Sequence, residues 1–299
     1  MKQITINDVN IAYPDLVGAY KKGLELVKNG KRHLNIYYVN DTNRDDTVLH
    51  ISDLGYAYDL CPRQLWLKLH GAERKKHHYG KDIMFMRGDI VHIETAQILQ
   101  YGLDDYWTIK GVEVPVKLFE NVVGRTDMIL QGREGEKIIV DFKTSRGGNF
   151  NYLDAEGPGE EKKAQVRGYC NAINADYGIL FFIDREGQNG VRQYLVESDI
   201  VQLENDYLKV QKIIIKEHDV LKPKLNIKIN KGDNSIYLNH PWQCNYCDYL
   251  DVSCPGALPE EYRNIKGIVA KEDKEGNIYP YDENYKPLMK LIKKLKEDE

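Results

Sequence analysis

Three things are missing from this chain of 299 residues, and each absence removes a class of protein. No apolar run approaches the length of a bilayer-spanning helix, and the opening "MKQITINDVN" is too polar for a secretory leader. A cytoplasmic protein with no membrane partner is therefore expected. Positive charge is not in excess: the formal net charge is −4, so no global field advertises a polyanionic partner. Basic segments remain, "KKGLELVKNGKR" near the start, "ERKKHHYGK" at 73–81 and "KPKLNIKINK" at 222–231, and such stretches can meet phosphates locally. There is also no internal repeat or low-complexity tract. The composition is that of an ordinary globular protein, long enough for one elaborated domain or two.

What is present changes its periodicity along the chain. Residues 1–50 read as a helical and loop-rich extension that ends in the polar "NDTNRDDT". "ISDLGYAYDLCPRQLWLKLHG" carries a helical stripe of Leu54, Tyr58, Leu65 and Leu69, with Ser52 as the expected N-cap. "IMFMRGDIVHIETAQILQYG" reads as a long helix stopped at Gly102. "GVEVPVKLFE", "NVVGRTDMILQG" and "KIIVDFKT" then alternate as three strands of a meander, the last two joined through the glycine-bearing turn "GREGE". "EEKKAQVRGYCNAINA" returns to helical spacing. "YGILFFIDR" and "GVRQYLVESD" are two more strands, and "DIVQLENDYLKVQKIIIKEH" is a further helix. The order through residue 183 implies an α/β fold in which helices cover a mixed sheet.

Within "EKIIVDFKTSRGG" the β-branched run demands a strand, yet it carries an aspartate and a lysine. Alternation puts Ile139, Asp141 and Lys143 on one face, with Val140 and Phe142 on the other. Asp127 ends "GRTD" on the preceding strand, and an antiparallel pairing can bring its carboxylate beside that of Asp141. Two such charges repel unless a cation sits between them, and Mg2+ or Mn2+ favours carboxylate oxygens. Lys143 then points into the same site. The helix before offers His92, and the helix after offers Gln165 and Tyr169, four apart on one face.

In the order helix, three strands, helix, "H…GRTD…DFK…QVRGY" resembles the PD-(D/E)XK nuclease superfamily, specifically its RecB-like branch. The resemblance covers about residues 83–183 and implies a restriction-endonuclease-like αβββαβ core. It makes His92, Asp127 and Asp141 metal ligands, with the backbone carbonyl of Phe142 as another. Lys143 becomes the catalytic lysine, and Gln165 with Tyr169 an accessory motif. Asp141 stands where the usual motif has glutamate, a change the branch accepts.

Five cysteines in a cytosolic chain are not expected to form disulfides. Cys244, Cys247 and Cys254 in "CNYCDYLDVSCP", together with Cys61 in "CPRQLW", supply four thiolates, which suit zinc or an iron–sulfur cluster. Cys170 is read as a buried core thiol. A lone upstream cysteine, a nuclease core and three clustered cysteines resemble the iron–sulfur nucleases, among them CRISPR-associated RecB-like exonucleases and AddB-type nuclease domains. That resemblance implies a structural [4Fe–4S] cluster on Cys61, Cys244, Cys247 and Cys254. The expected organisation is an extension over 1–50, a nuclease domain over 51–257 closed by the cluster, and a charged extension over 258–299.

The function expected is a Mg2+- or Mn2+-dependent exonuclease on single-stranded DNA or DNA ends, with tyrosines near the basic segments stacking bases. Its partner proteins would belong to recombination, replication or CRISPR adaptation, in a host cytoplasm if the chain is phage-encoded. A structure-specific endonuclease on the same core is the alternative. A non-catalytic nucleic-acid-binding protein with a zinc staple is a third reading.

Overall fold

A computed structural model of the chain describes residues 2–6, 9–29, 45, 47–58, 60–75, 79–185, 187, 190–216, 221, 226–230, 232, 235–239, 241–256, 270–280 and 286–297. Much of the polar stretch at 40–47, and parts of each basic segment named above, lie outside the described residues. The chain divides into two compact units, Met1–Leu60 with His77–Ile215, and Cys61–Lys76 with Lys216–Glu299.

The first unit begins with a hairpin, β1 (Lys2–Ile6) and β2 (Val9–Tyr13), followed by α1 (Leu16–Lys28). The helix was legible in the sequence, but the hairpin was not: its strands are five residues each and carry no turn glycine. Asp15 caps α1 by accepting from the Gly18 amide at 3.2 Å. After β3 (Leu49–His50) comes a 3-10 helix, Ile51–Ala57, which corrects the expectation of one continuous helix capped by Ser52. Ser52 lies inside the 3-10 turn, and Asp53 accepts the His50 amide at 2.8 Å.

The long α3 (Tyr79–Gly102) leads into β4 (Trp107–Leu118), β5 (Val122–Gly132) and β6 (Lys137–Ser145). Then follow α4 (Gly148–Glu156), whose sequence signal was missed, α5 (Glu160–Ile173), β7 (Tyr177–Asp184), β8 (Val191–Glu197) and α6 (Ile200–Ile214). The sheet runs β3-β5-β6-β7-β8, with β4 also paired to β5. Pairing is antiparallel for β4–β5, β5–β6 and β7–β8, and parallel for β6–β7 and β3–β5. The expected mixed sheet under helices is therefore the observed one, with β6 in its interior.

One face packs against α1 and α3. Leu16, Ala19, Ala96 and Leu99 meet Met128, Leu130, Val140, Phe142 and Phe181 in a continuous apolar core. The two helices approach so closely that a Cβ at Gly102 would collide with the backbone of Ala19. On the other face, Val166 and Cys170 of α5 lie against the sheet at Gly178. Cys170 is fully buried, as expected of a core thiol.

A buried polar cluster fastens α5 to α6. Arg167 pairs with Asp206 at 3.0 Å and donates to Tyr58 Oη at 2.8 Å, while Tyr58 donates to Asp206 at 2.7 Å. Each charged group here has a partner, as burial of a charge requires.

The second unit contains α2 (Pro62–Leu69), begun by a proline whose missing N–H costs nothing at a helix start. It also holds β9 (Asn226–Asn230), β10 (Ser235–Asn239), the single turn α7 (Trp242–Asn245), β11 (Ala270–Glu272), β12 (Ile278–Pro280) and α8 (Lys286–Glu297). The four strands form an antiparallel sheet in the order β12-β11-β10-β9. Leu288, Met289 and Ile292 of α8 pack with Ile236, Leu238 and Ala270. Lys290, Lys293 and Lys294 of the same helix stay exposed.

Candidate functional site

The site follows from where two strands part company. β5 and β6 are in register from Met128↔Val140 to Gln131↔Lys137, and no further. Continuing that register would set Asp127 opposite Asp141, but the ladder ends there. β5 turns its vacated edge to β3, at Val122 and Val123. Between these two pairings lies a fork, and the chemistry-bearing side chains gather in it.

At the fork the Asp127 carboxylate takes the place of a strand partner, accepting the Phe142 amide at 2.6 Å. From α3, His92 Nδ1 comes within 3.6 Å of the same carboxylate oxygen, and its ring stands edge-on to Phe142. Asp141, 1 % exposed, is paired through Oδ2 with Lys143 Nζ at 2.7 Å. Lys143 Nζ also donates to Gln165 Oε1 at 3.0 Å, and Gln165 Nε2 donates to the Tyr169 hydroxyl at 3.2 Å. Thus helices from both faces of the sheet reach one gap. All six side chains singled out in the sequence, with the backbone of Phe142, are found there.

The spacing of "GRTD" has its own local cause. A Cβ at Gly124 would fall 2.8 Å from Tyr169 and 2.9 Å from Ile51, so only glycine lets α5 and the 3-10 helix close on β5. That closure keeps the α5 side chains within reach of Lys143.

The electrostatics are those of an anionic pocket. Burial, and then the nearby Asp141 charge, push the Asp127 carboxyl well above the usual carboxylate range. His92 is pushed down by burial and by Lys143, so the imidazole is neutral near pH 7 and able to donate a lone pair. Burial works to lower the Lys143 pKa, but Asp141 and Asp127 outweigh it and the net direction is up. Lys143 is therefore an ammonium in this state.

Sequence reasoning missed one residue. Ligand atoms of His92, Glu113 and Asp127 all lie within 4.8 Å of one another, the one such group of three among the described residues. Asp141 falls outside it, held by Lys143. The signal for Glu113 was present but weak: an acid in "GVEVPVK", on the strand that pairs with the strand of Asp127.

Residues 58–255, about two thirds of the chain, match the PD-(D/E)XK nuclease superfamily. The chain belongs to this superfamily. Its members work with divalent metal ions, and the nitrogen-and-carboxylate donors at the fork suit such an ion. Among curated proteins, the chain is 27 % identical over 221 residues to the CRISPR-associated exonuclease Cas4 of Saccharolobus solfataricus, covering 72 % of this chain and 91 % of that one. Similar solved structures include an alkaline exonuclease from Laribacter hongkongensis, with TM-score 0.40 and 10 % identity over 57 % of this chain and 87 % of that one. A phage-related exonuclease from Haemophilus somnus 129PT is another, with TM-score 0.38 and 14 % identity over 58 % of this chain and 94 % of that one.

The superfamily match begins three residues before Cys61 and ends one residue after Cys254, so it spans a second feature. Cys61, Cys244, Cys247 and Cys254 line one small cavity together with Gln64, Leu67, Gln243 and Leu250, all within the second unit. Cys61 is the residue from which α2 springs, and Cys244 lies in α7. A tight loop brings the last two together: the Cys247 amide donates to Cys244 O at 3.1 Å, and the Cys254 amide to Tyr249 O at 2.9 Å. Burial raises the thiols of Cys61 and Cys247, and the neighbouring sulfurs raise them further.

Two donors face the last sulfur, the Gly256 amide at 3.4 Å and Nη1 of the buried Arg63 at 4.0 Å. Four sulfurs converging with N–H donors around them fit a metal group. Among the described residues, no three of the sulfurs lie within 4.8 Å of one another.

Proposed function

We propose that this protein is a Mg2+- or Mn2+-dependent exonuclease that hydrolyses DNA from single-stranded or frayed ends, and that Cys61, Cys244, Cys247 and Cys254 hold a structural [4Fe–4S] cluster. The observation that carries the nuclease assignment is the meeting of His92, Asp127, Asp141, Lys143 and Gln165 at the β5/β6 fork. The match to the superfamily and the similarity to an exonuclease support it. The four cysteines lining one cavity, with N–H donors at the last sulfur, support a metal group there.

When bound, a divalent cation at the fork supplies Lewis-acid chemistry toward a phosphate and the attacking water. His92 and Asp127 would hold it, with Asp141 and the Phe142 carbonyl completing the family's ligand set. Everything else falls to the chain's own groups. Lys143, kept protonated by Asp141 and steered by Gln165, presents an N–H to the phosphate and offsets the charge that grows on it during attack. Tyr169 holds Gln165 in turn, so the α5 pair acts by fixing the lysine. The four sulfurs would link residue 61 to residues 244–254 around the entire intervening chain, a closure that removes much unfolded-state freedom. In this reading they close a nuclease domain over 51–257, and the flanking segments serve substrate or partner proteins.

The assignment is tested by incubating the anaerobically purified protein with end-labelled single- and double-stranded DNA, closed circular single-stranded DNA, and RNA. Each is assayed with Mg2+, Mn2+ or chelator. Metal-dependent release of label from linear DNA, with the circle untouched, is the expected result. Cleavage of the circle would make the protein an endonuclease, and cleavage undiminished by chelator would overturn the metal site.

A further inference from the structure

We propose that Glu113 is a ligand of the divalent cation at the fork, and that Arg125 is the positioning residue that holds it there. This rests on the reading of the fork as a metal-dependent nuclease site and adds two residues to it.

The placement of Glu113 comes from strand register. Val112↔Met128 and Val114↔Thr126 are paired, which sets Glu113 across from Asp127 on the neighbouring strand. Glu113 itself drops out of the ladder and has φ of 55°, a left-handed backbone uncommon for a residue with a side chain. Its carboxylate reaches the point where a nitrogen of His92 and an oxygen of Asp127 are within 4.8 Å of it and of each other. Three donors from three elements, β4, α3 and β5, thereby surround one position. A lone acidic cluster would be two-dimensional and all oxygen. This one adds a neutral imidazole from the opposite side.

Arg125 explains why Glu113 stays. Its Nε lies 2.6 Å from Glu113 Oε2, and it belongs to the same "GRTD" that delivers Asp127. A carboxylate has two oxygens, so Glu113 can accept from the guanidinium through one and ligate through the other. Arg125 sits beside Asp127 along one strand, two residues away, so a single turn of β5 sets both the ligand and the group that orients its partner.

The salt-bridge geometry supports the same assignment. Glu113 Oε2 pairs with Arg125 as Asp141 Oδ2 pairs with Lys143, so each carboxylate keeps one oxygen for the ion.

The test is Mn2+ binding by the full-length protein, without DNA, followed by calorimetry and by the electron-spin signal of free Mn2+. Glu113→Gln should weaken binding at least about tenfold, and Arg125→Gln by a smaller factor. The double variant should be no weaker than Glu113→Gln alone, because the arginine acts through the glutamate. Asp127→Asn is the reference. If it loses Mn2+ while Glu113→Gln binds like the parent chain, the proposal is overturned and the nuclease site stands. If Asp127→Asn and the parent chain bind Mn2+ equally, or neither binds it, the site itself is misread and the proposal falls with it. Should Glu113→Gln fail to fold, Arg125→Gln alone decides: unchanged affinity there refutes the positioning role, and a loss that Arg125→Lys partly restores supports it.

Discussion

The fork and the cysteine cavity are two ways of assembling a metal site, and they differ in what holds them before any metal arrives. Fork residues project from a six-stranded sheet and from the helices packed on its two faces, so their geometry is set by strand register and by a large apolar core. The cysteine cavity has a smaller core: Leu67, Tyr249 and Cys254 form its buried apolar cluster among the described residues, and its walls are α2, the single turn α7 and the loop that follows. A site of the first kind can lose a charged side chain and keep its shape. One of the second kind depends on its ligand for shape, as small metal-bound units do.

The sharpest way to break this contrast is at the fork's charges. Lys143→Ala or Asp141→Ala should lower cleavage of end-labelled DNA by about a thousandfold or more, with the circular-dichroism spectrum unchanged and the protein still folded at the assay temperature. Residual activity near that of the parent chain would remove Lys143 and Asp141 from the mechanism. Loss of the folded circular-dichroism spectrum in either variant would show that the fork is not the robust partner of the pair.

Cys61→Ser should do the reverse. It is expected to strip iron and colour from the anaerobically purified protein and to lower its melting temperature by about 10 °C. Mn2+ binding at the fork should persist at temperatures where the protein stays folded. An iron-free, colourless parent protein that melts no lower would end the cluster assignment.

Two smaller perturbations probe the framework behind the fork. Arg167→Ala leaves Asp206 as a buried charge without its guanidinium and should cost about 3–5 kcal/mol in denaturant titrations. Gly124→Ala drives a methyl into Tyr169 and Ile51, a cost of about 1–3 kcal/mol, and it should slow cleavage because Tyr169 supports Gln165. An activity loss with unchanged stability would instead place Gly124 in direct contact with substrate.

The smallest effect expected is on pH dependence. Without metal, Asp127 keeps its proton well above the usual carboxylate range, whereas the unfolded chain has already released it. The folded state then binds more protons, so this contribution to stability is present at acid pH and is lost as pH rises through the folded-state pKa. His92 acts oppositely: its lowered pKa means stability gained as pH rises toward the ordinary imidazole value. A cation replaces the Asp127 proton, so the rise in melting temperature on adding Mn2+ should grow as pH rises above the ordinary carboxylate range. A shift that is flat with pH would mean that the ion does not displace that proton.

Sequence alone determined the alternation of periods from "GVEVPVKLFE" to "YGILFFIDR", and with it the mixed sheet. It also exposed the acids, lysine and cysteines as chemically out of place, because a charge inside a β-branched run announces itself locally. Other features depended on contacts between distant segments. The N-terminal hairpin had no turn glycine to mark it, and Pro62 split a helical stripe into a 3-10 turn and a separate helix. In "QVRGY" the glutamine and tyrosine could be read, but the arginine between them found its role only beside Asp206.

The fork is the clearest case. Alternation placed Asp141 and Lys143 on one face, yet it was the end of the β5/β6 ladder that let His92 and Gln165 reach the gap from opposite sides of the sheet. Glu113 entered through a left-handed residue on a third strand. Residue type and local period are properties of neighbours in the chain, and they specify which groups are available. Which of them share an ion depends on where hydrogen-bonded strands separate, a property that exists only once the sheet has formed.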